Sequence, residues 1–436
     1  MSTSIKNQEA ILNKLKIETL NPMQEEAQTA IHSTSDVVLL SPTGTGKTLA
    51  FLLPIIDQLD TESKEIQVMI LVPSRELALQ IEQVIREMGT GYKTNAVYGG
   101  RAGYQDKLDL KHNPTILIGT PGRVSDLMRR EIFSTEFIET LVLDEFDKSL
   151  EIGFENEMGE IITTLPNIKK RILTSATKAA VIPDFVGLKS PIVIDYSHEK
   201  ITQLSIKTVV SPTKDKLNTL VKTLSHIGNH PGIIFCNFKE TIQEVSDYLT
   251  AKKIHHGCFF GGMEQIDRER TLIKFRNGTL QLIVATDLAA RGLDIPELSF
   301  IIHFELPPRS QEFTHRNGRT ARMNTDGTAY ILKWEKESLP DFIKNVPVQN
   351  IKDARLPKAP VWETLYITGG RRDKISKGDI AGLFLKQGNL ANDQLGTIEV
   401  KQDCSYVAVH ASKMNELIEM VNNSKLKTKK VRVSVV

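Results

Sequence analysis

A chain of 436 residues with 40% hydrophobic and 25% charged residues has the make-up of an ordinary globular protein, with apolar material for two to four domains. Its net charge of +2 says little about partners, but from Val361 onward 12 Lys and Arg meet 8 Asp and Glu, an excess of +4 that leaves −2 for the rest, so the positive end is where a polyanion is expected. Cys236, Cys258 and Cys404 lie far apart with no CxxC pair, no stretch of about 18 apolar residues occurs, and the N-terminus lacks a signal-type apolar run. These features exclude a disulfide framework and a cysteine zinc site, and leave a reducing, cytoplasmic setting as the expectation.

From Asp36 to about Tyr196 short apolar runs alternate with helical patterns: Val37–Leu40, Ile66–Val72, Thr115–Gly119, Thr140–Leu143 and Arg171–Ser175. Such β-branched runs, apolar on both faces, read as parallel strands covered by helices. The rhythm resumes from about Leu204 to Trp334, with runs at Gly232–Asn237, Leu280–Asp287, Ser299–Leu306 and Thr328–Lys333. Two such blocks predict two doubly wound α/β domains, over 1–197 and 204–335, with a polar linker near Ser197–Gln203. Over 336–362, Pro340, Pro347, Pro357 and Pro360 interrupt the pattern, which reads as a short helix followed by a connector. The last segment, 363–436, runs strand, helix, two strands, helix, strand, the βαββαβ order of a ferredoxin-like, RRM-like α+β domain.

The strongest local signal is Ser41–Thr48, which follows a strand and precedes a helical run. That context makes it a phosphate-binding loop: Thr43, Gly44, Thr45 and Gly46 bring backbone N–H groups to phosphate oxygens, Lys47 reaches the terminal phosphates, and the Thr48 hydroxyl faces Mg²⁺. Ser41 stands where the general pattern has its first glycine. Asp144 and Glu145 end a strand, where a carboxylate can hold Mg²⁺ through water and its neighbour can activate a water for attack on ATP. His315–Arg322 places Arg316, Arg319 and Arg322 within seven residues, a pattern suited to charge spreading on a transferring phosphoryl group, although alone it reads equally as an exposed basic helix end.

These motifs, in this order over residues 15–335, resemble the DEAD-box RNA helicases of superfamily 2. Pro22-Met23-Gln24 is similar to the adenine-reading Q motif. Pro73–Ala78, Gly99-Gly100 and Thr120–Arg123 resemble RNA-contacting motifs, and Asp144–Asp147 stands in place of the Asp-Glu-Ala-Asp box. Ser175–Thr177, Asn237, Gln265 with Arg268, and Ala285–Asp294 match further motifs. The resemblance implies two RecA-like domains with ATP held between them, Gln24 at the adenine, Asp294 at the ribose, Arg319 and Arg322 as arginine fingers, and Ser175 and Thr177 coupling hydrolysis to RNA. It further implies that Arg75, Gly100, Arg123, Arg268, Thr286 and Gly292 line an RNA path of phosphate and sugar contacts, which carry no sequence information. Residues 1–50 contain no Phe, Tyr or Trp, so the aromatic that stacks on adenine in the family has no counterpart here. Phe146, in place of alanine, is expected to pack inside the domain.

Residues 364–436 resemble the RNA-binding domain of the DbpA type within that family, which implies recognition of a ribosomal RNA hairpin and a role in large-subunit assembly. The residues themselves point to RNA without naming a target. Arg371, Arg372 and Lys374 follow the first strand, and Lys425, Lys427, Lys429, Lys430 and Arg432 crowd the last. Tyr366 and Tyr406 could stack bases or belong to the core. The expected activity is an RNA-stimulated ATPase and ATP-dependent RNA helicase, acting as a monomer. An ATP-gated RNA clamp and a DNA translocase are the rival readings.

Overall fold

The computed structural model describes residues 7–42, 44–100, 103–176, 181–198, 204–287, 298–320 and 326–436, leaving aside the side chain of Gln105. Two compact units part between Thr202 and Gln203. Among the described residues no helix is long and apolar enough to cross a membrane.

The first unit is built on seven strands: β1 (Asp36–Leu40), β2 (Val68–Leu71), β3 (Thr94–Val97), β4 (Ile116–Gly119), β5 (Thr140–Leu143), β6 (Lys170–Ser175) and β7 (Ile192–Asp195). All neighbours are parallel, in the order β3-β4-β2-β5-β6-β1-β7. Alternate residues point to opposite faces. Val37, Leu39, Val68 and Ile70 therefore pack with Ala27, Phe51, Leu52 and Ile81 on one side. Val38, Leu40, Met69 and Leu71 pack with Val124, Phe146, Met158 and Ile161 on the other. Each fully buried aliphatic side chain contributes roughly 1.5–3 kcal/mol, so both layers hold the sheet. Phe146 is 3% exposed within the second layer, as expected from the sequence.

The second unit begins with six strands: β8 (Leu204–Ser211), β9 (Gly232–Phe235), β10 (Gly257–Phe259), β11 (Leu282–Ala285), β12 (Phe300–His303) and β13 (Gly327–Trp334). They too are all parallel, in the order β10-β11-β9-β12-β13-β8. These are the two doubly wound domains predicted. The short helix expected after Trp334 does not form. Pro340 and Pro347 break the ladder a helix needs, and the chain instead runs fastened to the sheet. Ile343 is buried beside Phe313 and Ile331, Thr208 and Gln349 bond through their backbones at 2.7 Å, and the Lys358 N–H donates to Asn229 Oδ1 at 2.7 Å.

The third sheet comprises β14 (Trp362–Ile367), β15 (Leu395–Val400), β16 (Ser405–His410) and β19 (Val433–Val435), antiparallel in the order β15-β16-β14-β19. Helices Lys377–Gly382 and Met414–Val421 complete the predicted βαββαβ order. A two-stranded hairpin, β17 (Lys425–Leu426) with β18 (Lys429–Lys430), is added before the last strand. One face of this sheet, carrying Leu365, Ile367, Val407 and Val409, packs on Phe384 and Leu417. The opposite face meets the helix Gln265–Arg276 of the second parallel sheet and the turn after it. Arg276 grips Glu399 with two hydrogen bonds of 2.8 and 2.9 Å, Lys401 pairs with Glu269 at 3.1 Å, and the buried hydroxyls of Thr279 and Thr364 lie 2.7 Å apart. Trp362 rests against Gly278, where an added methyl would come within 3.3 Å of the indole.

Candidate functional site

Parallel strands bring all their carboxyl ends to one edge, and in the first unit that edge divides in two. The carboxyl ends of the adjacent strands β5, β6 and β1 carry Asp144 and Glu145 just past β5, Ser175 as the last residue of β6, and the phosphate-binding loop after β1. The turn after β3 carries Gly100, and the helices that follow β4 and β2 carry Arg123 and Arg75 in their first turns. Every nucleotide candidate described in this unit, apart from Gln24, thus comes from one half of the edge, and every nucleic-acid candidate from the other.

The phosphate-binding loop bends through Gly44 and Gly46, at φ of 87° and 86°, a region that favours glycine. Ser41 takes no positive φ, which is why serine is tolerated there; its hydroxyl donates to Thr45 Oγ1 at 2.7 Å. Thr48 follows Lys47 in the first turn of the helix Lys47–Asp57. Lys47 is only 7% exposed, and its ammonium donates to the carbonyls of Ser41 and Pro42 at 2.5 and 2.8 Å. These are bonds it can exchange for phosphate oxygens. Gln24 lies beside this loop. It completes a capping box with Asn21 at the start of the helix Pro22–Ser33, and its amide donates to the Gly46 carbonyl at 3.2 Å. A methyl on Gly46 would sit 2.4 Å from that flexible amide, which would have to swing aside, so it is the backbone angle that calls for glycine here.

Asp144 is 3% exposed at the end of β5. Burial, and then the neighbouring Glu145 carboxylate, push its carboxyl up to about 6, against the pull of the Thr174 hydroxyl and Lys47. Thr174, fully buried on β6, donates to Asp144 Oδ1 and accepts from the Glu145 N–H at 3.1 Å. Glu145 holds a left-handed conformation with φ 47°, which costs a non-glycine residue of order 1–3 kcal/mol. Its Oε2 is buried with no hydrogen-bond partner among the described residues. An acidic, desolvated oxygen beside a buried carboxylate and a lysine suits a hydrated Mg²⁺ and an attacking water. Burial also raises the Asp147 carboxyl, offset partly by Lys148 and by a hydrogen bond from Ser175, so Ser175 is joined directly to the acidic box.

In the other half of the edge, the Arg75 guanidinium lies 4.4 Å from the Tyr98 ring centroid. Arg123 is held by Asp106 at 2.6 Å and Asp126 at 2.8 Å. Gly100, at φ 80°, opens onto free space. The second unit repeats the division. Asn237, Arg268 and Thr286 follow the adjacent strands β9, β10 and β11, and Arg319 follows β12. Arg268 lies 4.8 Å from the Phe259 ring, and Arg319 is 5% exposed. Arg316 is the hub of this edge. Fully buried, it bonds Asp287 at 2.7 Å, the Glu305 carbonyl at 2.6 Å and Asn237 Oδ1 at 2.7 Å. Thr43, Thr177, Gly292, Asp294 and Arg322 lie outside the described residues.

In the third domain Arg371, Arg372 and Lys374 lie on the turn after β14, both arginines exposed. This turn and the nearby hairpin form surface ion pairs, Arg372 with Asp403 at 2.9 Å, Lys429 with Asp373 at 2.8 Å and Lys427 with Asp379 at 2.9 Å. Such exposed pairs contribute little to stability. Tyr366 and Tyr406 stand opposite each other in register, rings edge to face at 5.5 Å. They belong to the sheet face that meets the helix Gln265–Arg276, whose Arg270 and Glu269 charges act on Tyr406. Sequence reading missed Thr174, the Ser175–Asp147 link and the Asp287–Arg316–Glu305 cluster. No local pattern marks them; strand pairing alone brings them together.

Three family profiles match the chain: DEAD/DEAH box helicase over residues 21–185, Helicase conserved C-terminal domain over 215–324 and DbpA RNA binding domain over 364–435. The ATP-dependent RNA helicase DbpA of Escherichia coli K12 is 32% identical, over 97% of this chain and 95% of its own length. The DbpA of Bacillus subtilis 168 is 29% identical, over 94% of each. Among solved structures, Saccharomyces cerevisiae Dbp5 bound to RNA and ADP BeF3 superposes with a TM-score of 0.67 at 25% identity, covering 76% of this chain and 88% of that one.

Proposed function

The chain belongs to the DEAD-box family of ATP-dependent RNA helicases, and from that premise we propose that it remodels structured ribosomal RNA during large-subunit assembly, tethered there by its third domain. The observation that supports the motor assignment most directly is the divided edge. One half presents a lysine, two carboxylates and a phosphate-binding loop; the other presents arginines and an open glycine.

In this reading Lys47 leaves the Ser41 and Pro42 carbonyls for the terminal phosphates of ATP. Glu145 orients and deprotonates the attacking water with the oxygen that has no protein partner among the described residues. Thr174 fixes both acids, and Arg319 and Arg322 stabilise the transferring charge. Thr48 and Asp144 would hold Mg²⁺, largely through water, and the metal would supply charge neutralisation on the phosphates. Ser175 links the acidic box to the RNA state through Asp147. Gln24 reads the adenine while braced on Gly46, and Asp294 contacts the ribose. Arg75, Gly100, Arg123, Arg268, Thr286 and Gly292 contact the RNA backbone. Arg371, Arg372 and Lys374 grip a hairpin of ribosomal RNA, and the protein works as a cytoplasmic monomer.

ATPase assays with and without RNA test the motor. Wild type is expected to be strongly RNA-stimulated, with at least a hundredfold loss in Lys47→Ala and Glu145→Gln, the scale of losing one transition-state electrostatic contact (~10²–10³). Equal rates with and without RNA would refute the coupling. Crosslinking to cellular RNA tests the target, and fragments scattered over messenger RNA would overturn it.

A further inference from the structure

Phe238 breaks two local rules at once. It is the N-cap of the helix Lys239–Ala251, which follows β9, yet makes no side-chain capping bond, where Ser, Thr, Asn or Asp is the usual choice. It is also 61% exposed. An aromatic that neither caps nor packs costs stability, and such exceptions concentrate at functional surfaces.

Its neighbours say which surface. Phe238 follows Asn237 at the carboxyl edge, one strand from Thr286 at the end of β11 and two strands from the end of β10. The next residue, Lys239, reaches across that gap to place its ammonium 5.4 Å from the Phe260 ring centroid. Beyond Phe260 come Gly261 and Gly262, which open onto free space, then Ile266, 53% exposed, and Arg268. An exposed aromatic beside a second aromatic with a cation over it is the composition of a nucleic-acid stacking platform. The first turn of this helix also carries Glu240, so Lys239 and Glu240 balance and the spot suits a flat base better than a phosphate.

We propose that Phe238 stacks on a base of the single strand held by the second motor domain, adding a base contact to a path otherwise made of phosphate and sugar contacts. The proposal rests on the reading of Arg268 and Thr286 as RNA-lining residues. It gives this half of the motor a preference for unstacked strand over duplex, because a base inside a duplex has both faces covered by its stacked neighbours.

The test is fluorescence anisotropy of a labelled single-stranded RNA with the full-length protein and a non-hydrolysable ATP analogue. Phe238→Ala is expected to weaken binding about tenfold, within the range for one base–aromatic stack, while Phe238→Tyr stays within about twofold. On RNA made abasic along the bound stretch, wild type should fall to the level of Phe238→Ala, and Phe238→Ala should lose nothing further at this position. Arg268→Ala is the control for the path itself. Weakening in Arg268→Ala with none in Phe238→Ala overturns the stacking proposal and leaves the path intact. No effect in either overturns both.

Discussion

Removing Arg276 should release the third domain from the second motor domain. The guanidinium makes two charge-assisted bonds to Glu399, with side chains 23% and 19% exposed. Exposed pairs couple by about 0.2–1 kcal/mol, and breaking a fully buried pair costs about 3–5 kcal/mol. This pair lies between, and Lys401, 3.7 Å from the same carboxylate, keeps part of the attraction when Arg276 is gone. A coupling of about 2 kcal/mol is expected, roughly a thirtyfold change in the docking equilibrium constant. Trp362 supplies the assay, because it rests on Gly278 within this contact. With Trp334, the only other tryptophan, replaced by phenylalanine, Trp362 emission reports undocking during a urea titration. Arg276→Ala, Glu399→Ala and the double variant close a thermodynamic cycle. Additivity within about 0.5 kcal/mol, the scatter of independent sites, would show that the pair does not hold the domains together. The pH dependence has a definite sign. Burial favours the neutral acid, but the Arg276 hydrogen bonds and charge outweigh it and hold the Glu399 carboxyl below the usual range. The contribution is therefore complete above the ordinary glutamate pKa, and is lost as pH falls through the lower value of the docked state.

Thr174→Val keeps the shape but removes the hydroxyl that bonds Asp144 and the Glu145 N–H; a loss of about 1.5–3 kcal/mol in urea stability of the first unit and a lower RNA-stimulated kcat are expected. His303 is fully buried, stacked on Phe313, with its pKa pushed down to about 3 by burial and by Arg316. Its neutral form stabilises the second unit above the ordinary histidine range, and that stability falls by about 1.4 kcal/mol per pH unit below it. Urea midpoints between pH 7 and 5 should show this slope, and His303→Gln should flatten it.

The apolar runs in the sequence mark every inner strand of both motor sheets, and the strands they miss are β3, β7, β8 and β10. Those four are the outermost strands of the two sheets. A strand buried on both faces must be apolar throughout, whereas an edge strand is not so constrained. β3 begins Thr94-Asn95 and β8 interrupts its apolar residues with Ser205, Lys207 and Thr208, so neither carries the continuous signal. The nucleotide loop and acidic box were legible because their spacing is local. The Thr174 and Arg316 networks were not, since their partners lie 29 or more residues apart, or converge from three different loops, and only strand order joins them. The tyrosines of the third sheet were ambiguous for a related reason. Alternation puts Tyr366 and Tyr406 on one face, but only the fold shows that this face is taken by Gln265–Arg276.

That helix has a part in both domains. Arg268 near its start and Arg276 at its end are eight residues apart, about 12 Å along the axis. It acts as a rigid spacer between a residue proposed to line the RNA and the clasp on the third domain. The offset from anchor to motor is then set by one helical rod and not by slack in the connecting chain. Lengthening the segment between Trp334 and Trp362 would leave that offset unchanged.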